Sequence, residues 1–356
     1  MKKHTLFPFI CIILAVMLFA AVGCSQTETP ATDTPATDDA ADMPSSDAGD
    51  QKEPAEGEHI VGFLEKNEVD PFHVTMNTRV IELLDQAVAD GIISDYKYLD
   101  GDTDPVKQVE QMETLLGMGC TDFIVCCSEA EGCMPMIELA AEAGANLVNV
   151  NALAGNIDDY PEFAYVEPNY FYGSSLAANA VIEARPEGGG YCVLKGIAGN
   201  SSAGQKAAGH IETMDAAGNW ELLDEQHADW DPELSIQFTT DWLSLYGDKL
   251  NAILCGNDTM AVAAAGVCIA NGRDDILVTG GDALEAAADM IANGEMFGTI
   301  WDDPEWQAEK SVEVLLQMIK GEELETNYFE VESFFLTIDN IGDWYDAKGI
   351  DNPLES

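Results

Sequence analysis

The chain has 356 residues, with 65 Asp and Glu against 15 Lys and Arg, a net charge of −50 and 47% hydrophobic residues. That balance excludes nucleic acid as a partner, because a binder must neutralise phosphates with Lys and Arg. It also excludes charge-driven adhesion to anionic lipid, while the hydrophobic share excludes an acidic disordered polymer and supports a core.

Lys2 and Lys3 precede an apolar run from Leu6 to Val22, broken only by Pro8 and followed by Gly23-Cys24. This is similar to a bacterial lipoprotein signal, and predicts a signal peptide over 1–23 with lipid on Cys24. A transmembrane anchor is the alternative, but the run is short for a span. Residues 24–58 are mostly Thr, Pro, Ala, Asp, Glu and Ser, with ten acids and one Lys. They predict an acidic disordered tether, too poor in apolar groups to form a core. The body from 59 to 356 keeps 55 acidic and 12 basic residues, and its length suits one large or two medium domains.

In the body, short apolar runs alternate with amphipathic stretches. "HIVGFL" (59–64) predicts a strand, Pro71–Ala89 a helix, "DYKYLD" (95–100) a strand and Pro105–Met118 a helix. "DFIVCC" (122–127), Met134–Ala143 and "NLVNVN" (146–151) extend the series. The pattern then restarts with "FAYVEP", a helix over Tyr172–Ala184, "GGGYCVLKG", a helix over Gln205–Ala217, "WELLDEQ" and a helix over Leu234–Tyr246. "LNAILCG" (250–256), Thr259–Ala270, "DILVTGG" (275–281) and Leu284–Ala292 complete it. Alternation of this kind predicts an α/β fold of two Rossmann-like lobes with parallel sheets, and ligands outside the carboxyl ends of the strands.

Beyond Cys11 and Cys24, seven cysteines remain. Cys120, Cys126, Cys127 and Cys133 lack CxxC spacing and have no His nearby in sequence, so they read as buried thiols, leaving one isolated bridge open. No metal or cofactor is expected. "DGDTDP" (Asp100, Asp102, Asp104) imitates the start of a calcium loop, but Pro105 and Gln111 replace its Gly and Glu, so it reads as a strand-to-helix link.

"DPFHVTMNTRVIELLDQA", "YLDGDTDPVKQVEQMETLLGMGCTDFIV", "ADWDPELSIQF" and the long block from "AILCGNDTM" to "GTIWDDP" resemble bacterial periplasmic-type sugar-binding proteins. The likeness is to the ribose/galactose-binding branch of ABC-transporter substrate-binding proteins and covers nearly all of 59–345. The resemblance implies a type I periplasmic-binding-protein fold whose two lobes are joined by a three-crossing hinge and close on the ligand. It places 59–165 plus 303–331 in the N-terminal lobe and 166–302 plus 332–356 in the C-terminal lobe. The crossings are expected near Tyr165–Glu167, Trp301–Pro304 and Val331–Phe334. It implies a monomer that hands a small, sugar-like molecule to an ABC permease at the outer face of the membrane.

Phe72 and Trp230 match the family's stacking aromatics, one from each lobe, and aromatic faces suit the C–H surfaces of sugars. Asn257 and Asp282 stand where the family puts an amide and a carboxylate on ligand hydroxyls, although each also precedes a helical stretch and suits an N-cap; Asp258 reads as a cap. The ribose pattern is departed from at Asp70-Pro71-Phe72-His73, at Cys127, at Asn151-Ala152 and at Asp302, with Lys206 a substitute for a lost arginine. Trp301 and Asp302 are expected at the hinge and cleft, Asp303-Pro304 at the start of the next helix. The ligand set expected is Asp70, Phe72, His73, Cys127, Asn151, Trp230, Asn257, Asp282, Trp301 and Asp302. His73 and His210 suit packing or hydroxyl pairing better than metal binding.

Cationic donors lost and carboxylates gained open a second reading, a cationic or amino-sugar ligand paired with Asp70, Asp282 or Asp302. A receptor module for a membrane kinase or chemoreceptor would have the same body. A glycosidase rests on the acids of "GTIWDDPEW" alone, and sequence neighbours such as Asp302 and Asp303 rarely point together across a substrate. The chain carries no GxSxG, HExxH or P-loop.

Overall fold

The computed structural model describes residues 58–155 and 159–355. The signal peptide, Cys24 and nearly all of the tether lie outside the described residues.

The first lobe is built from β1 (Ile60–Glu65), α1 (Pro71–Ala89), β2 (Asp95–Asp100), α2 (Pro105–Gly117), β3 (Asp122–Val125), α3 (Met134–Glu142), β4 (Asn146–Val150) and β5 (Ala164–Pro168). The second runs through α4 (Tyr170–Ala184), β6 (Gly189–Lys195), α5 (Ser201–Ala217), β7 (Trp220–His227) and α6 (Pro232–Tyr246). It continues with β8 (Leu250–Cys255), α7 (Asp258–Ala270), β9 (Leu277–Gly281), α8 (Glu285–Ala292) and β10 (Gly298–Trp301). The chain then passes through α9 (Pro304–Ile319), β11 (Tyr328–Val331), β12 (Phe334–Thr337) and α10 (Ile341–Lys348).

Each lobe holds a six-stranded sheet. Their orders are β2-β1-β3-β4-β5-β11 and β7-β6-β8-β9-β10-β12. All pairs are parallel except β10 with β12, where Gly298 faces Thr337 and Trp301 faces Phe334. The reason is the short link. β11 runs toward the cleft beside β5, and only Glu332-Ser333 separate it from β12. A chain that continues straight into the opposite lobe must run against strands that themselves point at the cleft.

Helices cover both faces of each sheet, so the inner strands carry near-continuous apolar runs, Phe123–Val125 in β3 and Ala252–Cys255 in β8. In the first lobe Val61, Phe63, Met76, Val80 and Leu84 pack with Val312 and Leu315 of α9, which has returned from the second lobe. On the other face Leu64, Met112, Phe123, Met136 and Ile137 form a second cluster. In the second lobe Trp242, Met260, Ala264 and Ile291 pack with Trp344 and Tyr345 of α10, and Ala178, Val181, Tyr191 and Met214 fill the opposite face.

The chain leaves the first sheet after Pro168, which pairs with Val331. This is later than the division at 165/166 read from the sequence, because β5 keeps its pairing with β11 through four residues. The other passages lie between Trp301 and Pro304 and between Val331 and Phe334. "DFIVCC" also ends earlier as a strand, at Val125, and α4 and α5 begin earlier than their apolar periodicity suggested. Asn169 and Asn200 cause this, each accepting a backbone N–H as an N-cap (from Tyr172 at 3.0 Å and Ala203 at 3.1 Å). Caps of the same kind are Asp70, Asp104, Asp231, Asn257 and Asp303. Such residues follow the strands' carboxyl ends, so the groups that start helices also face the space between the lobes.

Candidate ligand-binding cleft

Between the lobes, Lys66, Asp70, Phe72, His73 and Asn151 from the first face Tyr170, Ser202, Lys206, Trp230, Asn257 and Asp282 from the second. Seven of the ten residues read from the sequence are here: Asp70, Phe72, His73, Asn151, Trp230, Asn257 and Asp282. Three are not. Cys127 is fully buried on the α2/α3 side of the first sheet, its sulfur 3.7 Å from Asn149 Oδ1. β3 ends two residues before it, so the strand no longer directs it at the cleft. Trp301 lies at the hinge surface beside Phe334, ring centroids 6.3 Å apart, and is not among the residues that line this cavity. Asp302 is buried one layer behind it.

Several residues serve both readings the sequence left open. Asp70 Oδ1 caps α1 by accepting from Phe72 N at 3.0 Å, and Asn257 Oδ1 caps α7 by accepting from Met260 N at 3.0 Å. The amide nitrogen of Asn257 is left for the cleft. Asp258, expected as a cap, is instead fully buried beneath α8 and accepts from Thr299 Oγ1 at 2.6 Å and Leu284 N at 2.7 Å. Asp282 does not cap α8 either; its carboxylate turns to Lys206.

Trp230 sits at φ 64°, in the left-handed region, directly after Asp229 at φ 51°. Such backbone is costly for residues with side chains and persists where the surroundings hold it. Two glycines make room for the indole. A Cβ on Gly196 would come within 1.9 Å of Cζ2, and one on Gly256 within 2.8 Å of Cζ3. Asn151 at φ 65° and Asp282 at φ 113° are held in the same unusual range.

The electrostatic centre is Lys206, 5% exposed, on the first turns of α5. Its Nζ is 3.3 Å from Asp282 Oδ1 and 3.8 Å from Asp302 Oδ2, and lies over the rings of Tyr170 and Trp230 at 5.0 and 5.8 Å. Burial alone would lower its pKa, but Asp282 and Asp302 overcome this and raise it. Burial pushes Asp282 up to about 7 against the pull of Lys206, and raises Asp302 as well. Asp302 has a further donor, Ser333 Oγ at 2.6 Å. Asp282 and Asp302, two of the three carboxylates that called for a cationic ligand, thus find their ammonium and hydroxyl within the chain. His210, one turn on from Lys206, is pushed down to about 3 by burial and by the lysine, so it stays neutral.

Lys66, Tyr170 and Ser202 are the lining residues that the sequence did not single out. Lys66 is 3% exposed and reaches across the cleft to the Trp230 ring at 5.5 Å. Asn151 Nδ2 donates to Tyr170 Oη at 2.7 Å and to Gln307 Oε1 at 3.1 Å, tying the two lobes and α9 together. Ala130 N donates to Gly199 O (3.0 Å), Leu153 N to Ser201 Oγ (2.8 Å) and Asn200 Nδ2 to Ser128 O (3.0 Å). These contacts bring the lobes together around a cavity of only about 30 Å³, room for one or two waters. This is a closed arrangement, and a ring-sized ligand enters only when the lobes part and Lys66 leaves Trp230.

Residues 61–323 match the periplasmic binding protein domain family. A protein of Rhizobium meliloti named for rhizopine binding is 29% identical over 245 residues, covering 67% of this chain and 78% of its own. The ribose import binding protein of Escherichia coli is 23% identical over 245 residues, covering 68% and 80%. Among solved structures, an ABC transporter solute-binding protein from Bacillus halodurans with bound myo-inositol gives a TM-score of 0.75 at 22% identity, spanning 82% of this chain and 98% of that one. One from Actinobacillus succinogenes with bound D-allose gives 0.72 at 20% identity, spanning 80% and 100%. With its two parallel-sheet lobes and the cleft between them, the chain belongs to the periplasmic binding protein family, in its ribose/galactose branch.

Proposed function

We propose that the chain is the solute-binding component of an ABC importer, working outside the cytoplasmic membrane, and that it captures a neutral sugar or cyclic polyol by hinge closure. The family binds solutes and does not transform them. The observation that carries the ligand class is the pairing of Phe72 and Trp230, one from each lobe, around a space ringed by hydroxyl, amide and paired charged groups. Aromatic faces take the C–H sides of a ring while Asn257, Asp282, Asn151 and Lys206 read its hydroxyls. Relatives named for ribose and solved structures holding D-allose or myo-inositol agree with this class. The internal pairing of Lys206 with Asp282 and Asp302 weakens the electrostatic ground for a cationic ligand and leaves Asp70 as its remaining carboxylate.

Anchoring through a lipid on Cys24, a tether over 24–58 and action as a monomer complete the proposal. Among the described residues no helix is long and apolar enough to cross a membrane.

The test is a thermal-shift screen of pentoses, hexoses, cyclic polyols and amino sugars, since a bound ligand raises the melting temperature. A neutral polyhydroxylated compound is expected to give the largest shift. Trp230→Ala and Asp282→Ala are each expected to weaken its binding at least tenfold by calorimetry, with far-UV circular dichroism unchanged. Unaltered affinity in both would remove this cleft from consideration, and a shift by amino sugars alone would restore the cationic reading. Gly196→Ala probes the platform without touching a lining residue. The added methyl collides with the indole, so affinity is expected to fall about tenfold, or about 1.4 kcal/mol.

A further inference from the structure

Glu65 ends β1, His73 lies in the first turn of α1 and Cys126 follows β3. Their donor atoms lie within 4.8 Å of one another, and the residues are 0, 3 and 0% exposed. His73 Nδ1 is 2.7 Å from Glu65 Oε1, and the other carboxylate oxygen of Glu65 is buried without a hydrogen-bond partner. Asn151 Oδ1 faces the Cys126 sulfur at 3.9 Å. A carboxylate sealed from water with one oxygen unfilled is costly. One imidazole nitrogen, one sulfur and two oxygens form the donor set of a tetrahedral zinc site, whereas calcium and magnesium take oxygens alone.

We propose that Glu65, His73 and Cys126 bind one zinc-class divalent cation in the wall of the cleft, with the Asn151 amide oxygen as fourth donor. On binding, the Cys126 thiol gives its proton to solvent, and thiolate and carboxylate together balance the charge of the ion. The Glu65–His73 contact widens to roughly 3.3 Å, as donors about 2.0–2.1 Å from a common ion require. His73 and Asn151 also line the cleft, so the ion fixes two of its walls.

The experiment uses the whole chain, stripped with chelator, kept reduced and held in millimolar Mg²⁺ to occupy the acidic surface. Zn²⁺ titrated against a chromophoric chelator is expected to bind at one equivalent, and Co²⁺ to give a thiolate-to-metal charge-transfer band with tetrahedral d–d bands. Cys126→Ser is expected to abolish the charge-transfer band and weaken Zn²⁺ binding at least tenfold. His73→Gln is expected to weaken binding similarly while keeping the band, with circular dichroism confirming that both variants fold. No stoichiometric Zn²⁺ binding at micromolar concentration, or a band that survives Cys126→Ser, overturns the proposal. Sugar binding by the metal-free protein tests the transport reading separately.

Discussion

Replacing Lys206 with methionine is expected to lower the melting temperature by roughly 10 °C at pH 8. The substitution keeps most of the buried stem but removes the ammonium shared by Asp282 and Asp302. Deleting one member of a buried charged network leaves the others uncompensated, typically at about 3–5 kcal/mol, and each kcal/mol moves the midpoint of a protein this size by roughly 2–4 °C. The loss is expected to shrink at pH 5, where the stranded carboxylates take up protons, and in the double variant Lys206→Met, Asp302→Asn. A melting temperature unchanged at pH 8 would show that the cleft carboxylates are solvated and that the network is not what holds them.

The unsubstituted protein is expected to be more stable at pH 6 than at pH 8. Burial pushes Glu167 up to about 8 and Asp282 up to about 7, and raises Asp302 and Asp258. Each of these acids holds its proton more tightly folded than unfolded. Their contribution is therefore complete below the ordinary carboxylate range and is lost as pH rises through the folded values. His210 has the opposite sign. Held down at about 3, it favours the folded state above its ordinary value of 6.5 and costs stability as pH falls below that. Between pH 8 and 6.5 only the acids act, Glu167 foremost. It faces Tyr328, Gln205 and Glu330 beside the first hinge passage. The expected gain is about 2 kcal/mol, or roughly 5 °C, read by calorimetry across the pH series. Glu167→Gln should flatten most of it. A midpoint that falls on acidification from pH 8 to 6.5 would contradict the assignment.

Much of the fold was legible because its periodicities are local. Strand and helix runs alternate along the whole body, and Asp or Asn before a Pro or an apolar repeat marks most helix starts. The strand ends were less legible, because the parallel pairing that extends β5 to Pro168 depends on β11, whose Val331 lies 163 residues further along the chain. The cleft followed the same rule. Phe72, Trp230, Asn257 and Asp282 lie in or next to loops whose wording is distinctive, and they line one cavity. Cys127 lies outside that cavity, the strand having stopped before it. Lys66 and Tyr170 carried no local signal: "LEKN" reads as the polar end of a strand and "PNYF" as a linker. Asp302, expected at the hinge and cleft and a candidate partner for a cationic ligand, faces the Lys206 ammonium and the Ser333 hydroxyl, both supplied by the protein. His73 and Cys126, with no metal-ligand spacing between them, become neighbours only once β1 and β3 pair.

The edge strands β11 and β12 have a consequence for biogenesis. One polypeptide segment, 328–337, supplies the last strand of both sheets and the final passage between them. A chain synthesised from its N-terminus can seal neither sheet until that segment has emerged, whatever its earlier helices have achieved. Until then β5 and β10 stand as edges without the partners they pair with in the finished sheets. Both sheets therefore stay one strand short until nearly the end of synthesis, and a chain that stops between residues 301 and 328 lacks the last strand of each.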